Sequence, residues 1–389
     1  MKKIILFVCA ALLAVSCVYP FSVDDSSSVD RLVVFGDIIV GDEFEIRVSK
    51  LEPLYVEEDA PEFDYSLAHL TDLWVEGSDG STYKGDFSAA AGTCKVNMKS
   101  ASTEADYRLH FVCNRKEYIS DWRHADTRVA VDSLYYQLDF EKNKFRAKVD
   151  FHADGSSKYF SVTYKEVWEY TAAYKAKYEY IPRDMTHYPG RYKYGLVQPL
   201  TNPNYRCWNT AYSRGFQVLT SESLTQSVFK DVELASLNRT DSKLSNCYFM
   251  EVSVMPVAQD AYEYMNHIDE MANSLGDLFS PNPSEMRGNI RCVDDPDEFV
   301  IGFVSVTHKS TKSMYVIDSV LKFYKTSGIF MPADEVGEYN WPSYYNKGWV
   351  PFDYDPDKKM AWWTPFDCAD CRAAGGTRTK PEGWPTKGI

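Results

Sequence analysis

The chain is expected to be mostly β: an N-terminal immunoglobulin-like β-sandwich, followed by a larger β-rich domain that carries one amphipathic helix. Three observations lead there. Short runs of alternating apolar and polar residues recur at spacings of about 8–15 residues, with turn residues between them. Aromatic residues make up 15% of the chain, and pleated surfaces favour them. One segment has helical spacing, with Tyr262, Met265, Ile268, Met271, Ala272 and Leu275 falling on one face.

Residues 1–16 read as a lipoprotein signal peptide. Met1-Lys2-Lys3 precedes an apolar run from Ile4 to Val15 that ends in small residues, the pattern of a secretory signal. That run is shorter than the roughly 20 apolar residues of a bilayer-spanning helix. Leu13-Ala14-Val15-Ser16-Cys17 is similar to a lipobox, with Ala14 where leucine is usual. Cys17 is therefore the expected lipidation site. Each buried acyl methylene contributes about 0.8 kcal/mol, so two or three chains on one cysteine hold a polar domain on a membrane. Residues 17–28 follow as a flexible tether, with Asp24-Asp25 and Ser26-Ser27-Ser28.

Residues 29–131 are assigned to the sandwich. Glu43-Phe44-Glu45-Ile46-Arg47-Val48-Ser49 alternates with period two, as does Asp106-Tyr107-Arg108-Leu109-His110-Phe111-Val112-Cys113. Leu70–Glu76 is a third strand, closed by Gly77-Ser78-Asp79-Gly80. Residues 132–389 form the larger domain. Its strands are expected at 158–170, 217–219, 247–254, 299–307 and 313–320. The helix is expected near 258–275, with Gly276 at its C-terminal cap. The segment from Trp341 onward reads as loop-like, because Pro342, Pro351, Pro356, Pro365, Pro381 and Pro385 break any strand period.

Composition narrows the function. The 389 residues carry 42 basic and 56 acidic side chains, a formal charge of −14. Such a balance excludes a phosphate-binding basic face, so no nucleic-acid partner is expected. No G-x-S-x-G elbow or phosphate-cradling glycine loop occurs. No catalytic residue, metal site or cofactor is assigned. The run Asp294-Asp295-Pro296-Asp297-Glu298 lacks an EF-hand pattern and reads as a solvated turn. The aromatic surplus is the best sign of binding. Trp341, Tyr344, Tyr345, Trp349, Trp362 and Trp363 are the candidate ligand-facing residues, for a sugar or peptide partner.

Nine cysteines occur. Setting aside Cys9 in the leader and Cys17, the candidates for disulfides are Cys94, Cys113, Cys207, Cys292, Cys368 and Cys371, with Cys247 completing an odd set. Cys94 and Cys113 flank two expected strands and could bridge. Cys368-Ala369-Asp370-Cys371 reads as a disulfide or loop staple. A zinc half-site would need two more ligands at matching spacing, and a redox pair would need a βαβ context.

Several stretches also carry a resemblance. They are Tyr164-Lys165-Glu166-Val167-Trp168-Glu169, Cys207-Trp208, and the series Ala261-Tyr262-Glu263-Tyr264, Ser274–Phe279, Pro283 and Gly288-Asn289-Ile290. That series leads into Asp297–Phe303. Last come Cys368–Cys371, Gly375-Gly376-Thr377 and Pro381-Glu382-Gly383-Trp384. Together they resemble an uncharacterised Bacteroidetes outer-membrane lipoprotein family, often encoded beside TonB-dependent receptors. Asp24-Asp25 is likewise similar to the surface-export signal of such lipoproteins. The resemblance implies a lipid-anchored outer-membrane protein, on the cell surface or facing the periplasm, that serves a TonB-dependent transporter as a non-enzymatic binding or docking partner. It supplies no catalytic residue. Two other readings stay open: an extracytoplasmic glycan or peptide hydrolase with a carboxylate pair in an aromatic cleft, and a structural or adhesive surface protein.

Overall fold

The computed structural model describes residues 32–50, 70–88, 93–183, 193–213, 217–238, 240–273, 288–298, 300–317 and 331–385. Cys17, the tether and Gly276 lie outside the described residues. The protein is built mostly of β-strands, as its alternation and aromatic content predict. Among the described residues no helix is long and apolar enough to cross a membrane.

The first unit contains β1 (Leu32–Phe35), β2 (Ile38–Ile39), β3 (Glu43–Lys50), β4 (Leu70–Gly77), β5 (Thr82–Ser88), β6 (Thr93–Asn97), β7 (Tyr107–Cys113) and β8 (Lys116–Ser120). The second begins with β9 (Arg128–Asp139), β10 (Lys144–Asp154) and β11 (Tyr159–Thr171). After it come β12 (Tyr178–Ile181), β13 (Leu196–Pro199), β14 (Arg206–Tyr212), β15 (Gln217–Thr220), β16 (Val228–Asn238) and β17 (Cys247–Val257). The helix α1 (Gln259–Asn273) precedes the short strands β18 (Ile290–Cys292), β19 (Val300–Ile301) and β20 (Val306–Thr307), then β21 (Ser310–Val316). The chain closes with β22 (Asp334–Gly337), α2 (Trp341–Asn346), β23 (Trp349–Asp355), β24 (Met360–Pro365) and α3 (Phe366–Ala369).

The expected division at residue 131 differs from the structure in one respect. The first core packs Ile46, Val48, Leu73, Val75, Leu109 and Phe111 against Ile290, Cys292, Val300, Val304 and Val306. The chain therefore leaves the first sandwich and returns to complete it. β18 pairs antiparallel with β8, and β19 and β20 run parallel to β1 and β2. Sequence periodicity is blind to this, because parallel pairing across so long a separation leaves no local signature. Two contacts hold the return in place. The buried Asn289 side chain donates to Val304 O and accepts from Val304 N, both at 2.8 Å. Gly302 sits at φ +136°, and a Cβ there would fall 2.3 Å from Val34 O, so only glycine fits. Its N–H donates to the Tyr264 hydroxyl on α1 at 2.9 Å.

The second unit is a sandwich of the sheet β16-β10-β9 on the sheet β14-β11-β17-β21. Alternate residues of β10 and β17 fill its core: Phe145, Ala147, Val149 and Phe151 from one, Tyr248, Met250, Val252 and Val254 from the other. α1 packs through Ala261, Tyr262 and Met265 against Tyr159 and Val257. Tyr262 and Met265 belong to the face its spacing predicted, and Ala261 adds to the contact.

The third unit corrects the loop-like reading of the C-terminal segment. β22, β24 and β23 form an antiparallel sheet, with α2 between β22 and β23 and the β12–β13 hairpin packed beside it. The prolines occupy places that tolerate them. Pro342 lies in the first turn of α2, where its missing N–H costs nothing. Pro351 stands at a register shift of β23, and Pro365 at the end of β24.

Candidate functional site

The candidate aromatics divide between core and surface. Trp341 and Trp363 are buried with Tyr180, Val197, Val336 and Ala361. Trp341 Nε1 donates to Val336 O at 3.0 Å. These two side chains make the core of the third unit, which corrects their assignment as ligand-facing. Rings in a proline-broken segment look exposed in sequence, but Trp341 packs inward from the first turn of α2 and Trp363 from the central strand β24. Tyr344, Trp349 and Trp362 are half-buried, and Tyr344 donates its hydroxyl to Asp334 at 2.8 Å. Tyr345 is 44% exposed and rests on Tyr180 at 5.2 Å. Beside it the structure adds rings that the sequence reading missed. Tyr339 is 73% exposed and meets Tyr194 edge-on at 5.4 Å. Tyr194 is linked to the same hub, since Tyr180 donates its hydroxyl to Tyr194 O at 2.9 Å.

A second cluster gathers residues far apart in the chain. After β24, the segment 366–384 wraps the edge of the sheet at β14, meeting Tyr170 and Cys207 on one side of the sheet and Glu169 on the other. Cys371 forms a disulfide with Cys207, 164 residues away. Thr377 and Trp208 exchange backbone hydrogen bonds at 2.8 Å in both directions, and Tyr170 donates to Cys371 O at 2.7 Å. Gly376 passes so close that a Cβ would stand 2.2 Å from the Tyr170 hydroxyl. Trp384 closes the strap by donating Nε1 to Glu169 Oε2 at 2.9 Å. Arg206 Nε lies 3.1 Å from the other oxygen of that carboxylate, near enough to pair by charge without an aligned hydrogen bond.

The remaining cysteines resolve the open alternatives. Cys371 bonds Cys207 and not its motif partner Cys368, which keeps a half-exposed thiol. Cys94 lies on β6 between β3 and β5, whereas Cys113 lies on β7 between β4 and β8. Separate strands of one ladder keep them from the bridge that their flanking positions suggested. Cys292 keeps its thiol inside the first core. Burial pushes the Cys94 thiol up to about 11, and burial beside Glu169 pushes Cys247 to about 12. Neither is a thiolate nucleophile at neutral pH.

Two buried carboxylates occur on β11, but they do not face each other. Glu166 and Glu169 are three residues apart, so strand alternation sends them to opposite faces. Glu166 points between the sheets. It accepts from Tyr248 at 2.6 Å and Lys243 Nζ at 2.5 Å. Desolvation, with Glu166 alongside, raises the Tyr248 hydroxyl far above its ordinary pKa. Both acids serve packing contacts, and they are not the facing pair that glycoside hydrolysis needs. In the acidic run, Glu298 accepts from Lys116 and Tyr118, and Asp294 from Glu117 N.

The strap latch has a direct consequence. Trp384→Phe keeps the ring but removes the donor to a buried carboxylate. It is expected to lower stability by about 1.5–3 kcal/mol. Limited trypsin digestion should then cut after Arg372 and Arg378 several-fold faster than in the parent.

The family model described as "Domain of unknown function (DUF4249)" matches residues 18–313. The chain belongs to this family. The DUF4249 match takes in Trp168-Glu169, Cys207-Trp208 and the chain return at 288–303. It stops before Cys371 and Trp384, so it is shorter than the stretches that carried the resemblance. No curated protein matches the chain. Among solved structures, it is similar to a two-domain fibronectin type III segment of chicken tenascin. Identity there is 10% and the TM-score 0.16, over 58% of this chain and 89% of that one. It is also similar to the B domain of a biofilm-associated protein, at 7% identity and TM-score 0.15, over 75% of this chain and 86% of that one.

Proposed function

We propose that this DUF4249 chain is an outer-membrane lipoprotein, anchored through Cys17 and displayed on the cell surface or facing the periplasm. There it serves a TonB-dependent nutrient transporter as a non-enzymatic binding or docking partner. The leader ending in Cys17 supports the anchor. The observation that carries the binding role is the tyrosine face of the third unit. Tyr339 and Tyr345 keep their rings in solvent, although each packs against a neighbouring tyrosine. Rigid amphipathic rings of this kind are favoured as interface anchors.

Affinity purification of the tagged chain from native membranes tests the reading. The transporter should be recovered with the parent chain, and several-fold less with Tyr339→Ala/Tyr345→Ala. A transporter preparation that consistently lacks the chain would end the docking role. Cys17→Ser should move the chain from the membrane pellet to the soluble fraction. Unchanged sedimentation would end the anchor.

A further inference from the structure

A cleft of about 460 Å³ opens where the two sandwiches and α1 meet. Its walls come from five places in the chain, of which β20 supplies Val306 and Thr307. The linker into β9 brings His124 and Asp126, the turn into β11 brings Ser156 and Lys158, the loop after β15 brings Glu222, and the start of α1 brings Gln259. Neither sandwich forms it alone. Clefts of this size at a junction between units are usual places for small ligands.

The lining is arranged by hydrogen bonds that leave charge unspent. Asp126 accepts from the hydroxyls of Thr127 and Ser156, which fixes the carboxylate against the wall. Tyr159 donates to Glu222 Oε1 at 2.6 Å. That contact raises the tyrosine to about 12 and leaves Glu222 Oε2 without a partner among the described residues. Lys158 is paired with no carboxylate among the described residues. His124 engages Asp106 through Nδ1 at 3.1 Å, and its other nitrogen has no partner among the described residues. A simple anion entering here would meet Asp126 and Glu222, and a simple cation would meet Lys158. A molecule carrying both charges satisfies both. Among the lining residues Tyr159 supplies the one large ring, and it is buried, so a stacking platform for a sugar face is lacking.

We infer that this cleft binds a short peptide as its zwitterion, with the carboxylate at Lys158 and the ammonium at Asp126 and Glu222. The volume suits about three small residues. The site shares no residue with the tyrosine face, so either can fail without the other. Isothermal titration of the purified full chain in detergent micelles with trialanine tests it. Saturable binding is expected, and N-acetyl-trialanine amide should bind at least tenfold more weakly, as the loss of charge-assisted hydrogen bonds demands. Lys158→Met should weaken trialanine about tenfold and leave trialanine amide within twofold. Glu222→Gln should weaken trialanine and its amide alike, and leave N-acetyl-trialanine within twofold. Thermal melts of both variants should match the parent, since both side chains are exposed. The inference is overturned if trialanine gives no saturable heat, if the doubly blocked peptide binds as tightly as the free one, or if the variants do not separate the two termini. Tighter binding of a neutral trisaccharide, maltotriose, overturns it as well.

Discussion

Trp363→Ala is expected to destabilise the third unit by about 3–5 kcal/mol, the usual cost of truncating a buried large aromatic. Trp363 is 0% exposed and sits on the central strand of its sheet, with Tyr180 at 5.4 Å and Tyr344 at 6.2 Å. Its removal leaves a cavity bordered by α2 and by the β12–β13 hairpin, which pack on the sheet through Trp341, Tyr344 and Tyr180. The two sandwiches have cores of their own. Calorimetry should therefore show a low-temperature transition splitting from the main one. Trp363→Phe should cost much less. The indole Nε1 is buried without an acceptor, and phenylalanine removes that unmet donor while keeping most of the ring. Tyr339→Ala should leave the melt within about 0.5 kcal/mol of the parent, as is usual at exposed positions. If Trp363→Ala melted like the parent, the tryptophan would have to be a surface residue.

The contrast between Trp363 and Tyr339 shows what the sequence could and could not tell. Alternation in Glu43–Ser49 and Asp106–Cys113 marks strands because a half-buried sheet imposes period two on its side chains. The helical spacing in α1 is equally local. Which rings face water is not local. Trp341 is buried because Tyr180, from a hairpin that leaves the second sandwich after β11, covers it. Tyr339 stays outside because the same hairpin brings Tyr194 only to its edge. No window of sequence around residue 340 contains that information.

Among the described residues, several positions in the stretches that carried the family resemblance are joints. Asn289 and Gly302 stitch the returning chain into the first sandwich. Glu169, Trp208 and Cys207 receive the strap. Such positions tolerate few residues, so they stand out in a sequence, yet they speak of architecture and not of chemistry. The strap also explains why the C-x-x-C misleads. Cys368 lies on α3 and Cys371 in the following turn, and Cys371 N donates to Asn204 O at 2.8 Å. That anchor holds Cys371 against the strand bearing Cys207.

Among the described residues, loss of the Cys207–Cys371 bond should therefore have a large effect. The closed loop spans 164 residues of separation, and in the chain-entropy account a loop of that size contributes about 5 kcal/mol, with 2–5 kcal/mol typical of measured cases. For units of this size each kcal/mol moves the midpoint by about 2–4 °C, so Cys371→Ser should lower it by roughly 10 °C. Other contacts moderate the loss. Tyr170 still donates to the residue 371 carbonyl, Asn204 still donates to Asp370 at 2.7 Å, and Trp384 still reaches Glu169. The strap should stay docked at low temperature and detach before the sandwich unfolds, so trypsin should release a C-terminal fragment below the main transition. Three variants make the pairing unambiguous. Cys207→Ser and Cys371→Ser should each show the full loss, and the double variant should lose little more than either, because both singles remove the same bond. Cys368→Ser should leave the midpoint unchanged and spare the bridge under non-reducing conditions. A large loss in Cys368→Ser, or additivity in the double variant, would mean that Cys371 bonds elsewhere.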